Sequence, residues 1–235
     1  MNTPIESKSQ ARELTTTSYA VLAVLALRDH STYELTKQMR YSLHYLWPRA
    51  ESNVYAEPKR LVAAGLATAR EEWTGGRRRS VYSITEAGRA ALREWIASPS
   101  SRQRYESEAV LKVFFGENGT RDELLANLRE VRDDALAGLA HWQEVADHYA
   151  AGEGEYPDRF GLSGLVARLL GEQQAVTARW TAWVEEALSA QDDIVPGDVS
   201  WGIASIRDTG QPFPLAEDPL AAHDERGPDS GPDTL

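Results

Sequence analysis

The chain of 235 residues contains no cysteine. That excludes a disulfide scaffold and any cysteine–zinc site, and it suits a reducing cytosol. No apolar run is long enough to cross a bilayer: the longest, around Ala20–Leu27, falls short of the roughly 20 residues that a spanning helix needs. Before Thr16 there is no basic start followed by an apolar run and a small-residue cleavage site, so no secretory leader is expected. Catalytic signatures are missing as well: no glycine-rich phosphate loop, no Gly-x-Ser-x-Gly and no His-Glu-x-x-His. The carboxylate pairs Glu71-Glu72 and Asp133-Asp134 are adjacent in sequence, so their side chains point apart and do not form an acid/base pair. No cofactor is implied, and no enzyme is expected; turnover by the helical half is what would revive that class.

Positive charge is scarce overall, with a net charge of −11, but it is not scarce everywhere. Residues 1–100 hold 14 Lys/Arg against 10 Asp/Glu, whereas residues 101–235 hold 11 against 26. Affinity for phosphate depends on the local patch rather than on the total. A basic head followed by an acidic remainder gives the two halves separate tasks.

The head reads as helices followed by a hairpin. Residues 1–14 are polar and form a flexible arm in this reading. From Thr17 to Leu27 apolar residues lie all round the helix, which implies burial. Asp29-His30-Ser31 breaks it, and Thr32 is the expected N-cap of a second helix running to about Met39 or Arg40. Pro48 biases Trp47 away from helical geometry, so a third helix is expected from Ser52 to about Ala64, ended by Gly65. In that helix Val54, Leu61 and Val62 share one sector. Ser52, Ala56 and Lys59 lie opposite, flanked by Tyr55 on one side and by Asn53 and Arg60 on the other. Asn reads adenine in bidentate fashion, Lys and Arg neutralise phosphates, and Tyr donates to phosphate oxygens. Taken alone, the same helix reads slightly better as an ordinary amphipathic helix with a wet polar face.

The hairpin favours nucleic acid. Ala67–Trp73 and Arg79–Ile84 have strand character and flank Gly75-Gly76, the residue type that tight hairpins require. Arg77, Arg78 and Arg79 follow at once, and a basic hairpin tip suits phosphate contact or entry into a minor groove.

Residues 17–97 resemble the winged-helix domain of the PadR family of transcriptional regulators. The resemblance is carried by Tyr19-Ala-Val-Leu-Ala-Val-Leu25, Thr32-Tyr-Glu-Leu35, Trp47-Pro48, Ser52-Asn-Val-Tyr55, Lys59-Arg60-Leu61 and Ala64-Gly65-Leu66. It continues through Arg77-Arg78-Arg79-Ser-Val-Tyr82 and Ile84-Thr85-Glu86-Ala87-Gly88. One departure is Pro58, where similar proteins often carry an apolar residue; within a helix begun at Ser52 it would remove the hydrogen bond to the Val54 carbonyl and bend the axis.

The second half is helical. Glu106–Phe115 gives a short apolar helix. Thr120 and Glu123 have the spacing of a capping box that opens a helix to about Ala151. Leu128, Val131, Ala135, Gly138, Trp142, Val145 and Tyr149 form a stripe along it at steps of three and four. Leu162, Val166, Leu169, Gln173, Val176, Trp180, Trp183 and Ala187 repeat the pattern after a break at Gly152–Asp158. The fold class is therefore mainly α with a small β-hairpin wing: a winged helix-turn-helix over residues 15–98 and a C-terminal helical hairpin over 103–190, which the resemblance implies is a dimerisation domain.

His141, Glu144 and His148 share a helical face but lack the closed ligand set of a structural metal site, so no metal is expected. Trp142, Tyr149, Trp180 and Trp183 are candidate lining for an effector pocket between protomers, with ordinary core packing as the alternative. Residues 191–235 hold six of the eleven prolines, ten acidic and two basic side chains, and read as a disordered acidic tail. The function expected is that of a sequence-specific, ligand-responsive, homodimeric, cytoplasmic repressor on an inverted-repeat DNA operator, with no membrane partner. The resemblance implies phenolic compounds or drugs as inducers. The alternative is a winged-helix protein-interaction module without specific DNA binding.

Overall fold

The computed structural model describes residues 14–40, 46–47, 55–74, 76–190, 194 and 198–221. The chain divides into two compact units, residues 1–103 and 104–235.

The first unit is built around helix α1, Thr16–Leu27. Thr15 caps it reciprocally with Ser18, and Val21, Leu22, Val24 and Leu25 are buried, as an apolar helix without a polar face requires. His30–Ser31, read from sequence as a simple break, forms a short strand, β1. The N-cap of helix α2 (Thr32–Gln38) is Ser31 rather than Thr32, because Glu34 stands three residues beyond Ser31 and closes a capping box with it. Helix α3 covers Glu57–Ala63, so Pro58 is its second residue and not an interior one. In the first turn the missing N–H of proline removes no helical bond, which is why no kink is needed. The Val54 carbonyl lies outside the described residues.

Helix α3 ends as the glycine signal suggests. Gly65 has φ +73° and its N–H donates to the Val62 carbonyl, while Leu66 N–H donates to Leu61, the paired bonds of a Schellman motif. Strands β2 (Ala67–Thr74) and β3 (Arg77–Ile84) form the hairpin, and β1 pairs with the other edge of β3, giving an antiparallel sheet of order β1-β3-β2. Gly76, at φ +77°, supplies the turn. Helix α4, Glu86–Ala97, is capped by Thr85. Its Gly88 sits so close to the Leu66 backbone that an added Cβ would lie 2.1 Å from the Leu66 carbonyl oxygen. The core gathers Leu35, Met39, Leu61, Ala67 and Tyr82 around α1.

In the second unit, Ser107 caps helix α5 (Glu108–Phe114), and Thr120 with Glu123 opens helix α6 (Arg121–Ala150) by the expected capping box. Helix α7, Phe160–Ser189, returns antiparallel: Tyr149 stacks on Phe160 at the loop end, while Arg129 and Arg132 both bind Glu185 near the other. The α6 stripe from Leu128 to Tyr149 is buried or half-buried throughout, as its spacing predicts. The α7 stripe is different. Leu162, Val166, Leu169 and Val176 are exposed, and the buried residues are Ala175, Ala178, Thr181, Ala182, Val184 and Leu188. Alanines let the two helices approach closely, and their small apolar weight hid this face behind the larger side chains of its neighbour.

The expectation of a disordered tail does not hold for residues 198–221. Asp198 caps helix α8, Val199–Arg207, by accepting from the N–H groups of Ser200 and Trp201. Trp201 stacks on Trp183 with ring centroids 5.7 Å apart, and Phe213 meets the same indole at 5.5 Å. Arg179 binds Asp218, and Ala216 N–H donates to Glu186. Two aromatic residues thus supply the apolar surface that composition averaged away. Residues 222–235 lie outside the described part.

Candidate nucleic-acid interface

Helix α3 is anchored by the first turn of α1. Thr15 N–H donates to Ser18 Oγ, and Ser18 Oγ in turn donates to Glu57 Oε1. Glu57, 2% exposed, also binds Arg60 Nη1 through Oε2 at 2.7 Å. One residue earlier, Thr17 Oγ1 accepts from Trp47 Nε1 at 3.2 Å. Trp47, between α2 and α3, and Glu57, at the start of α3, are therefore tied to adjacent residues of one helical turn. Tyr55 is 64% exposed and Lys59 is exposed, while Arg60 is half-buried. Ser52 and Asn53, the remaining candidates of this helix, lie outside the described residues, as does the side chain of Arg77.

The wing carries more internal pairing than its sequence suggests. The register sets Trp73 opposite Arg78, Glu72 opposite Arg79 and Glu71 opposite Ser80. Arg78 Nε donates to Glu71 Oε2 at 2.6 Å, and Arg79 Nη2 donates to Glu72 Oε2 at 3.1 Å. Arg70 binds Asp29, Glu72 and the Ser83 hydroxyl. The Arg78 hydrogen bond holds the Glu71 carboxyl below the usual carboxylate range; Arg79 first, then Arg70, does the same for Glu72. The Arg78–Glu71 pair is solvent-exposed and the Arg79–Glu72 pair half-buried, so a phosphate can replace either carboxylate at modest cost. The hairpin still carries an excess of positive charge, with four arginines against two glutamates between Ala67 and Ile84. Trp73, 74% exposed near the tip, and the buried Glu57 escaped the sequence reading. Only the strand register for the first, and the contact across to α1 for the second, brings them to notice.

Within one protomer the aromatic candidates for an effector pocket do not come together. Tyr149 packs on Phe160, whereas Trp183 lies 23 residues further along α7, about 35 Å away at 1.5 Å per residue. Trp180 and Trp183 pack against the cluster of Leu124, Leu125, Leu128, Val184 and Leu188, and Trp183 is also covered by Trp201. Trp142 is half-buried beside His141. His148 pairs with Glu153, and among the described residues no cluster of His, Cys, Asp or Glu could hold a metal ion. No described helix is long and apolar enough to cross a membrane.

A helical head with a three-stranded sheet and an arginine-bearing hairpin beside α3 is a winged helix. Residues 21–94 match the profile of the transcriptional regulator PadR-like family. Those residues carry a PadR-like family domain. Its second half, residues 106–190, matches the profile described as virulence activator alpha C-term. Among curated relatives, the negative transcriptional regulator PadR of Bacillus subtilis is 28% identical over 99 residues, 41% of this chain and 54% of that protein. The aligned stretch thus spans about half the length of that PadR. Of solved structures, PadR of Bacillus subtilis in complex with operator DNA superposes with a TM-score of 0.65 at 22% identity, covering 74% of this chain and 98% of that one. The same Bacillus protein in complex with p-coumaric acid gives 0.59 at 23% identity, covering 76% and 100%. The Vibrio cholerae virulence activator AphA gives 0.59 at 28% identity, covering 74% and 99%. These PadR-like proteins are regulators of transcription, not enzymes. About a quarter of the present chain extends beyond what they share.

Proposed function

We propose that this PadR-like chain is a homodimeric, sequence-specific DNA-binding repressor that responds to a small molecule in the cytoplasm. Residues 15–98 form the DNA-binding head and residues 103–190 the dimerisation domain. The observation that carries the reading is the winged head itself, in which Tyr55 and Lys59 are exposed on and beside α3 and the wing presents Arg78 and Arg79 on exchangeable partners. Ser52, Asn53, Arg60 and Arg77 complete the proposed contact set. Helix-turn-helix proteins gain affinity by reading two half-sites, and an inverted repeat matches a two-fold dimer. The unpartnered α7 stripe of Leu162, Leu165, Val166, Leu169 and Val176 supports that assembly.

The repressor sign follows the Bacillus relative, a negative regulator, and a small-molecule response follows its complex with p-coumaric acid. An effector acts by binding one of two arrangements of the dimer more tightly than the other. The deciding experiment is a fluorescence-anisotropy titration of the DNA upstream of the chain's own gene, at two salt concentrations, with wild type and Arg77→Ala/Arg78→Ala. Tight, salt-sensitive binding that weakens in the double variant supports the reading, since each neutralised phosphate contributes about 0.9 to the logarithmic salt slope. No binding to that or to random duplex leaves a protein-interaction module. Lower expression of the neighbouring genes on deletion would make the regulator an activator.

A further inference from the structure

We propose that Glu57 is the positioning residue of α3: its buried carboxylate holds Arg60 through one guanidinium nitrogen, so that the remaining donors of the fork meet a DNA phosphate already ordered. The inference rests on the DNA-binding reading of the head.

A carboxylate 2% exposed is costly unless every oxygen is satisfied. Glu57 is satisfied by two partners with different tasks. Ser18 Oγ, fixed by its own capping bonds to Thr15, takes Oε1 and ties α3 to α1. Arg60 Nη1 takes Oε2. Its place as the first residue of α3 puts the charge at the positive end of the helix, which offsets part of the burial cost. If closure of α3 on α1 were all that is required, an apolar residue of similar volume would serve as well, because buried ion pairs are often no more stabilising than such replacements. What an apolar residue cannot do is orient a cation.

Arg60 is oriented in a particular way. Its guanidinium has five donors in a planar fork, and one nitrogen is engaged with Glu57 while the side chain remains 36% exposed. An arginine held through one nitrogen has lost part of its rotamer freedom before DNA arrives, so the contact bears less of that ordering cost. The wing arginines differ: their carboxylates are 49% and 33% exposed and leave the pair when phosphate replaces them. Glu57, at 3%, has no water to leave into, and stays as a fixed support.

The consequence has an unexpected sign. Removing a negative charge from a DNA-binding surface ordinarily strengthens binding. Glu57→Gln keeps the acceptor for Ser18 but releases Arg60, and it is expected to weaken binding to the upstream duplex about tenfold with an unchanged salt slope. Arg60→Ala lowers the slope by about 0.9, and in that background Glu57→Gln has no further effect on DNA binding. Arg60→Lys retains the charge and the slope but loses affinity, because a single ammonium nitrogen must serve both carboxylate and phosphate, whereas the arginine fork gives each its own nitrogen. Equal or tighter binding by Glu57→Gln overturns the proposal, and so does an equal loss in the Arg60→Ala background. If Glu57→Gln does not fold, Arg60→Lys decides: wild-type affinity there overturns it. Failure of the wild type to bind any duplex removes the DNA-binding reading and this inference together. Tight wild-type binding with an unaffected Glu57→Gln removes only the inference.

Discussion

The exposed stripe on α7 makes the proposed dimer a quantitative matter. Leu165 is 72% exposed and Leu169 59% exposed, one helical turn apart on the same face. Full burial of a leucine side chain is worth about 1.5–3 kcal/mol, so covering what remains accessible is worth about 1–2 kcal/mol per residue. Two leucines on each of two protomers give about 4–8 kcal/mol, or roughly three to six decades in dissociation constant. Leu165→Glu/Leu169→Glu forfeits that energy and adds four charges to the interface. Neither residue belongs to the buried cluster of its own unit, so the helical circular dichroism of the protomer should be retained. Sedimentation velocity at micromolar concentration should then show a dimeric wild type and a monomeric variant. Operator affinity should fall with it, since two heads on one DNA no longer act together. A folded double variant that remains dimeric at low micromolar concentration would refute the assignment of this stripe, and a monomeric wild type would refute the dimer.

Other outcomes follow from the same structure. Gly88→Ala drives a Cβ against the Leu66 carbonyl and should cost about 1–3 kcal/mol, lowering the melting midpoint of the head by at least about 4 °C. Gly164→Ala meets nothing within 4 Å in α7 and should raise stability by up to about 1 kcal/mol in thermal denaturation. Glu71→Gln/Glu72→Gln removes the wing's internal partners and should tighten DNA binding, read as higher anisotropy at fixed protein concentration. Arg179 holds the Asp218 carboxyl below its ordinary range, so the tail contact is fully present above that range and lost only as pH falls through the lowered value. Proteolysis of residues 198–221 should therefore be slow at neutral pH, and become fast at neutral pH in Trp201→Ala, which removes the stack on Trp183.

Local signals in the sequence carried over to the structure where one residue's chemistry decides the outcome. Thr120 with Glu123, Gly65 after α3, and the glycine turn of the wing are of this kind. Legibility failed where the decision is shared across the fold. His30–Ser31 becomes a strand only because Tyr82 and Val81 of β3 lie beside it. The buried face of α7 is chosen by how closely α6 can approach, a property of alanines that a stripe of larger residues conceals. The tail is ordered by two aromatic contacts that composition dilutes among prolines and acids. At the interface, side-chain type marked the basic residues correctly as cations. It was silent on which carboxylate each one faces, and that pairing separates an exchangeable wing arginine from a supported one on α3.

Thr17 and Ser18 hold Trp47 and Glu57, which bracket nine residues of chain. Both clamps close on neighbouring residues of α1, so the separation of the bracketed ends is set by that helix and not by what runs between them. Helix α3 therefore keeps its station through its own first residue and through Trp47, both held from α1. A surface helix arranged in this way inherits the fixity of the most deeply buried helix of the head.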